Sequence, residues 1–86
     1  MRIGPPAFPR RKLNPELRAR ARQRMLDGLP SWRMAMLIGY SQSSDFSSVL
    51  HTPLVRATPL QVARLERLAD LLDFPRAELF VDEAQP

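Results

Sequence analysis

Arg10, Arg11 and Lys12 stand side by side near the start of this chain, and three consecutive cations can neutralise phosphate oxygens. Guanidinium groups do so through a planar fork of donors, the ammonium as a point charge. Further on, Gln42, Ser43, Ser44 and Ser47 offer uncharged donors and acceptors with no lysine or arginine among them. Carboxylates supply a third chemistry: Glu66 and Asp70 are spaced i, i+4, and Asp70 and Asp73 i, i+3. Such pairs hold a metal only when a second element brings further ligands. The chain has one histidine, His51, and no cysteine, so neither a histidine cluster nor a thiolate site can be assembled. There is no phosphate-cradling glycine loop and no nucleophile–base pair. These carboxylates belong to an acidic surface, and His51 to solvent or a backbone bond. The sequence does not describe an enzyme, and no cofactor is expected.

The charge is unevenly placed. Residues 1–33 hold nine basic and two acidic side chains, whereas residues 34–86 hold four basic and seven acidic ones. The net charge of +4 is therefore concentrated at the front, which points to a polyanion on one side of the molecule. Twelve of the thirteen cations are arginine, the better phosphate fork. Eighty-six residues allow one small domain with one core. No stretch approaches the roughly 20 apolar residues of a membrane span, and the start of the chain has no apolar run of signal-peptide type. A cytoplasmic protein is expected.

The elements that must position these groups are short helices. Residues 1–13, with Gly4, Pro5, Pro6 and Pro9, form a basic arm that is extended or disordered alone, suited to a phosphate backbone or a minor groove. Residues 14–80 form the domain, and residues 81–86 an acidic frayed tail. Asn14-Pro15-Glu16 starts a first helix running to about Asp27, ended by Gly28. Leu17, Ala21, Met25 and Leu26 are its buried side. A second helix spans Pro30 or Ser31 to Ile38, burying Met34, Ala35, Leu37 and Ile38, with Trp32 packed in the core or at its edge and Arg33 solvated. Gly39 accepts the left-handed backbone that stops it. A third helix begins somewhere in Ser41–Ser44 and buries Phe46, Val49 and Leu50. Residues 51–57 are a loop. Thr58-Pro59-Leu60-Gln61 is a capping box opening a fourth helix to Asp73, with Val62, Leu65, Leu68, Ala69 and Leu72 inward and an Arg67–Asp70 pair outside. A short fifth helix from Pro75 to Phe80 closes the core with Leu79 and Phe80.

Ala35-x-x-x-Gly39 at the junction of the second and third helices suits a helix-turn-helix. With its flanks, Gly28-Leu29-Pro30-Ser31-Trp32-Arg33-Met34-Ala35-Met36-Leu37-Ile38-Gly39-Tyr40 resembles the opening of Xre-type, λ-repressor-like domains. That family typically reads Gly-Leu-Ser-Gln, two polar residues, Leu-Ala, two residues, Leu-Gly-Val. Residues 65–80, from Leu65-Glu66-Arg67-Leu68-Ala69 to Glu78-Leu79-Phe80, are similar to its closing signature. The chain departs at Pro30-Ser31, where the family has Ser-Gln, and in a longer segment between Gly39 and Phe46. The run from Gly39 to Leu50 is also similar to the second helix-turn-helix of AraC-type activators. The resemblance implies an all-α, compact five-helix λ-repressor-like domain. It implies a DNA-binding transcriptional regulator whose third helix, near residues 42–51, reads the major groove. Gln42, Ser43, Ser44 and Ser47 then contact base edges, and Arg33 stands where the family places backbone contacts. It also implies a homodimer on a two-fold operator. Because the third helix carries Asp45 and no cation, a second function stays open: a protein-interaction module on the same fold, either an antitoxin-like partner or an inhibitor of a larger nucleic-acid enzyme.

Overall fold

A computed structural model describes residues 10–52 and 54–81. The first nine residues of the arm and residues 82–86 of the tail lie outside the described residues. Four α-helices carry the fold: α1 (Pro15–Leu26), α2 (Ser31–Ile38), α3 (Ser43–His51) and α4 (Pro59–Leu71). Two three-residue strands, β1 (Arg10–Lys12) and β2 (Leu54–Arg56), pair antiparallel, and a single 3-10 turn covers Arg76–Glu78.

Local chemistry sets each boundary. The Asn14 side-chain oxygen accepts from the Glu16 N–H at 2.9 Å, and Pro15 occupies the first turn of α1, where no donor is needed. Asn14 also ties the start of α1 to the last turn of the described residues. Its N–H donates to the Leu79 carbonyl and its amide to the Glu78 carbonyl, both at 2.8 Å. Helix α2 ends on Gly39 at φ +106°, with Tyr40 N–H donating to Ala35 O and Gly39 N–H to Met36 O. This pair of hydrogen bonds satisfies two of the carbonyls a helix end leaves open. The same pattern ends α4 at Asp73, which takes φ +57° without being glycine, as Phe74 N–H bonds Ala69 O.

One core holds the pieces. Leu13, Leu17, Met34, Ile38, Phe46, Leu65 and Leu68 are its largest fully buried side chains, and Tyr40, Val55, Phe74 and Leu79 complete its boundary. Expected members Ala35, Val49, Leu50, Ala69 and Leu72 are buried as well.

Several expectations change. Among the described residues there are four α-helices rather than five helices, because the segment after Pro75 makes only three residues of 3-10 turn before Leu79 turns inward. Helix α4 stops at Leu71 rather than Asp73. Residues 54–56 are a strand rather than loop, and Arg10–Lys12 is its partner rather than part of a free arm. Leu13 is buried within the fold and bridges Phe80. Leu37 is half exposed and Leu26 81 % exposed, so neither belongs to the core: on α2 the inward arc is already filled by Met34, Ala35 and Ile38. Trp32 stands 54 % exposed. Asp70 pairs with Arg76 at 2.5 Å rather than with Arg67, and the Arg76 hydrogen bond holds its carboxyl below the usual range.

Candidate functional site

The polar face of α3 is open. Gln42, Ser43, Ser44, Asp45, Ser48 and His51 are exposed and Ser47 is half-buried, while Phe46, Val49 and Leu50 hold the opposite face in the core. Gln42 is the N-cap residue, and its side chain does not cap the helix; its Oε1 lies 3.5 Å from the donating Ser44 hydroxyl. The amide is therefore left on the surface.

The far end of α3 is firmly fixed. The Thr52 hydroxyl donates to Ser48 O at 2.6 Å, and the His51 Nδ1 lies 2.8 Å from Ser47 O. The Arg18 guanidinium donates to the Thr52 carbonyl, which adds a cation at the negative end of the helix. The Arg18 contact connects the end of α3 to α1.

Beside this end lies a cleft of about 240 Å³. Ser48 and Thr52 form one side, the β1–β2 ribbon another, and Gln61 of α4 contributes a polar group. Arg10 and Arg56 both line it and face each other in the strand register. Cross-strand neighbours of like charge repel, so the ribbon holds two exposed cations at a cost. The alternation of a strand puts Arg10 and Lys12 on one side of the ribbon and Arg11 on the other. Arg11 is half-buried with its guanidinium 4.3 Å from the centre of the Phe80 ring. Lys12 is half-buried opposite Leu54 and does not line the cleft.

At the near end of α3, Tyr40 organises the turn. Its hydroxyl donates to Gln61 Oε1 at 2.6 Å, and the Arg64 guanidinium lies 4.6 Å over its ring. Burial raises the phenol to about 12, partly opposed by the positive charge of Arg64. A Cβ added to Gly39 would sit 3.3 Å from Arg67 Nη1, so α4 brings a second arginine against the same turn. Gln61 thus belongs both to the cleft and to the Tyr40 contact. Its side chain is engaged there, which is why only half of the expected capping box forms, through the Gln61 N–H to the Thr58 hydroxyl at 3.1 Å.

Of the site residues expected from sequence, Ser43, Ser44 and Ser47 share α3 with Gln42 at its N-cap, and Arg10 stands beside its far end. Arg33 is exposed in the first turn of α2 and does not line the cleft. Arg56, Ser48, Thr52 and Gln61 were not among the expected site residues. Arg56 depends on a strand pairing between segments far apart in the chain, which no local pattern announces. Among the described residues no cluster of three or more metal-ligating side chains forms, and no helix is long and apolar enough to cross a membrane. No family model, curated protein or solved structure matches this chain.

Proposed function

We propose that this protein is a small DNA-binding transcriptional regulator that places α3 in a major groove, with α2, the Gly39–Gln42 turn and α3 acting as a helix-turn-helix. The observation that carries the reading is the opposed pair Arg10 and Arg56, set at the rim of a cleft lined by Ser48 of α3 and by its C-cap Thr52. A phosphate between the two guanidiniums relieves their repulsion and accepts from both forks. A B-form major groove admits an α-helix, and the phosphates flanking it then meet cations beside the helix rather than on it. Helix α3 fits that division: its outer face carries amide and hydroxyl groups and no basic side chain. Most acids described lie elsewhere, on α1 (Glu16), on α4 (Glu66 and Asp70) and in the segment that follows it (Asp73 and Glu78). In this reading Gln42, Ser43 and Ser44 supply discrimination, with Ser48 replacing the half-buried Ser47 as the exposed hydroxyl near the phosphate contact. Arg10 and Arg56 supply affinity, and Arg33 is a further phosphate contact on the other side.

Selection from a random duplex library tests this. Wild type enriches a defined motif, and Gln42→Ala loses the preference at one position, worth about 1–3 kcal/mol, with little change in binding to random DNA. A library that emerges unenriched, from a protein that does not retain random duplex, removes the proposal. Asp45 is the specific feature favouring the alternative, a protein-interaction module, because a carboxylate on the reading face repels phosphate.

A further inference from the structure

We propose that the cleft beside the far end of α3 binds a small hydroxylated carboxylate, and that this ligand competes with DNA phosphate for Arg10 and Arg56. The competition rests on the DNA reading above; occupancy of the cleft does not. At about 240 Å³ the cleft has more room than one phosphate group fills. It lies below the roughly 300–1,000 Å³ of pockets that enclose drug-sized ligands, so its occupant has on the order of ten non-hydrogen atoms. A duplex phosphate, tethered in its backbone, meets the two guanidiniums at the rim and leaves the interior to water. Val49, Leu54 and Val55 make part of that interior apolar, and water gains few hydrogen bonds there. A ligand with an apolar body removes that surface from water.

The polar groups of the lining narrow the chemistry further. Gln61 Oε1 already accepts from the Tyr40 hydroxyl at 2.6 Å, so what the amide still offers is its Nε2 donors. The Thr52 hydroxyl already donates to Ser48 O at 2.6 Å, so it offers acceptor capacity. A ligand hydroxyl has both complementary capacities, accepting from an amide and donating to an oxygen. The guanidinium pair of Arg10 and Arg56 selects a planar anion, which a carboxylate supplies. Anionic head, short apolar body and hydroxyl together describe a hydroxylated aromatic or branched aliphatic carboxylate. Bound there, it takes the guanidiniums that a DNA phosphate would otherwise occupy.

The test is a titration of the full chain with 4-hydroxybenzoate at constant ionic strength, without DNA, followed by proton–nitrogen NMR. The Gln61 side-chain amide and the backbone amides of Ser48 and Thr52 shift together and saturate with one dissociation constant. Acetate, which is the head alone, and 4-hydroxybenzamide, which lacks the charge, bind about tenfold more weakly or worse. Arg56→Gln weakens the probe by a similar factor and leaves the circular dichroism intact, because the residue is exposed. In duplex anisotropy, the probe at about ten times its dissociation constant lowers the apparent DNA affinity by about tenfold, and acetate at equal ionic strength does not. Shifts that never saturate overturn the ligand site. So does an equal Gln61 shift with acetate or inorganic phosphate, which would mean an anion at the rim and nothing within. Saturable binding that leaves DNA affinity unchanged overturns the competition. Saturable binding by a protein that retains no duplex supports the carboxylate site and overturns the DNA reading, the competition with it.

Discussion

Arg10 and Arg56 are register partners in the antiparallel β1–β2 ribbon, two exposed cations opposed across the rim of the cleft beside α3. A pair of this kind weakens the free protein and favours an anion-bound one. Arg56→Gln is therefore expected to raise Tm slightly at low ionic strength, with the gain fading as salt screens the repulsion. An unchanged Tm at low salt would show that the two guanidiniums splay apart.

Backbone handedness gives two substitutions of opposite sign. Gly39→Ala puts a Cβ on a residue at φ +106° and 3.3 Å from Arg67 Nη1. It should destabilise the fold by about 1–2 kcal/mol. Asp73 holds the equivalent position after α4 at φ +57°, so Asp73→Gly should stabilise by up to about 1 kcal/mol. Urea unfolding of both variants checks the signs, and a stabilised Gly39 variant would contradict the turn geometry.

The sequence announced these stops unequally. Gly39 was legible because glycine after an apolar helical run has one common use. Asp73 was not, because Phe74-Pro75 draws attention to the next residues and aspartate takes a left-handed backbone only occasionally. The caps at Asn14 and Thr58 were legible for the same local reason as Gly39. The ribbon was hidden, since three residues make too short a strand to show alternation and its partner lies over forty residues away. That concealed Arg56 and half of the candidate site, while the polar face of α3 could be drawn from the spacing of Phe46, Val49 and Leu50. Leu37 misled because an apolar residue within a helical pattern is counted as core until a neighbour fills its arc.

Phe46 is fully buried and its ring centre lies 5.9 Å from that of Tyr40, linking α3 to the turn before it. Phe46→Ala should cost about 3–5 kcal/mol, a large share of the stability of so small a domain. A thermal melt within a degree or two of wild type would be incompatible with this packing.

Tyr40 is the sole tyrosine, so its phenolate absorbance reports one group. Burial raises its pKa from 10.0 to about 12. The folded state thus prefers the neutral phenol; this stabilisation is complete below the unfolded pKa and is lost as pH rises from 10.0 through about 12. Alkaline titration should show delayed ionisation accompanied by loss of structure. Arg64→Gln should push the ionisation higher still, because the Arg64 charge favours the phenolate. A midpoint near 10 in the folded protein would mean that the ring is solvated.

We propose that duplex DNA lies along α3 with its phosphates at Arg10 and Arg56. This placement is tested most directly by the salt dependence of binding to a random-sequence duplex, measured by fluorescence anisotropy for wild type and for the Arg10→Gln, Arg56→Gln double variant. This geometry predicts weaker binding by the variant at low salt. It also predicts a log K against log salt slope shallower by about 0.9 for each phosphate that is no longer neutralised, hence about 1.8 for the pair. Equal affinity and an equal slope for the two proteins would contradict it.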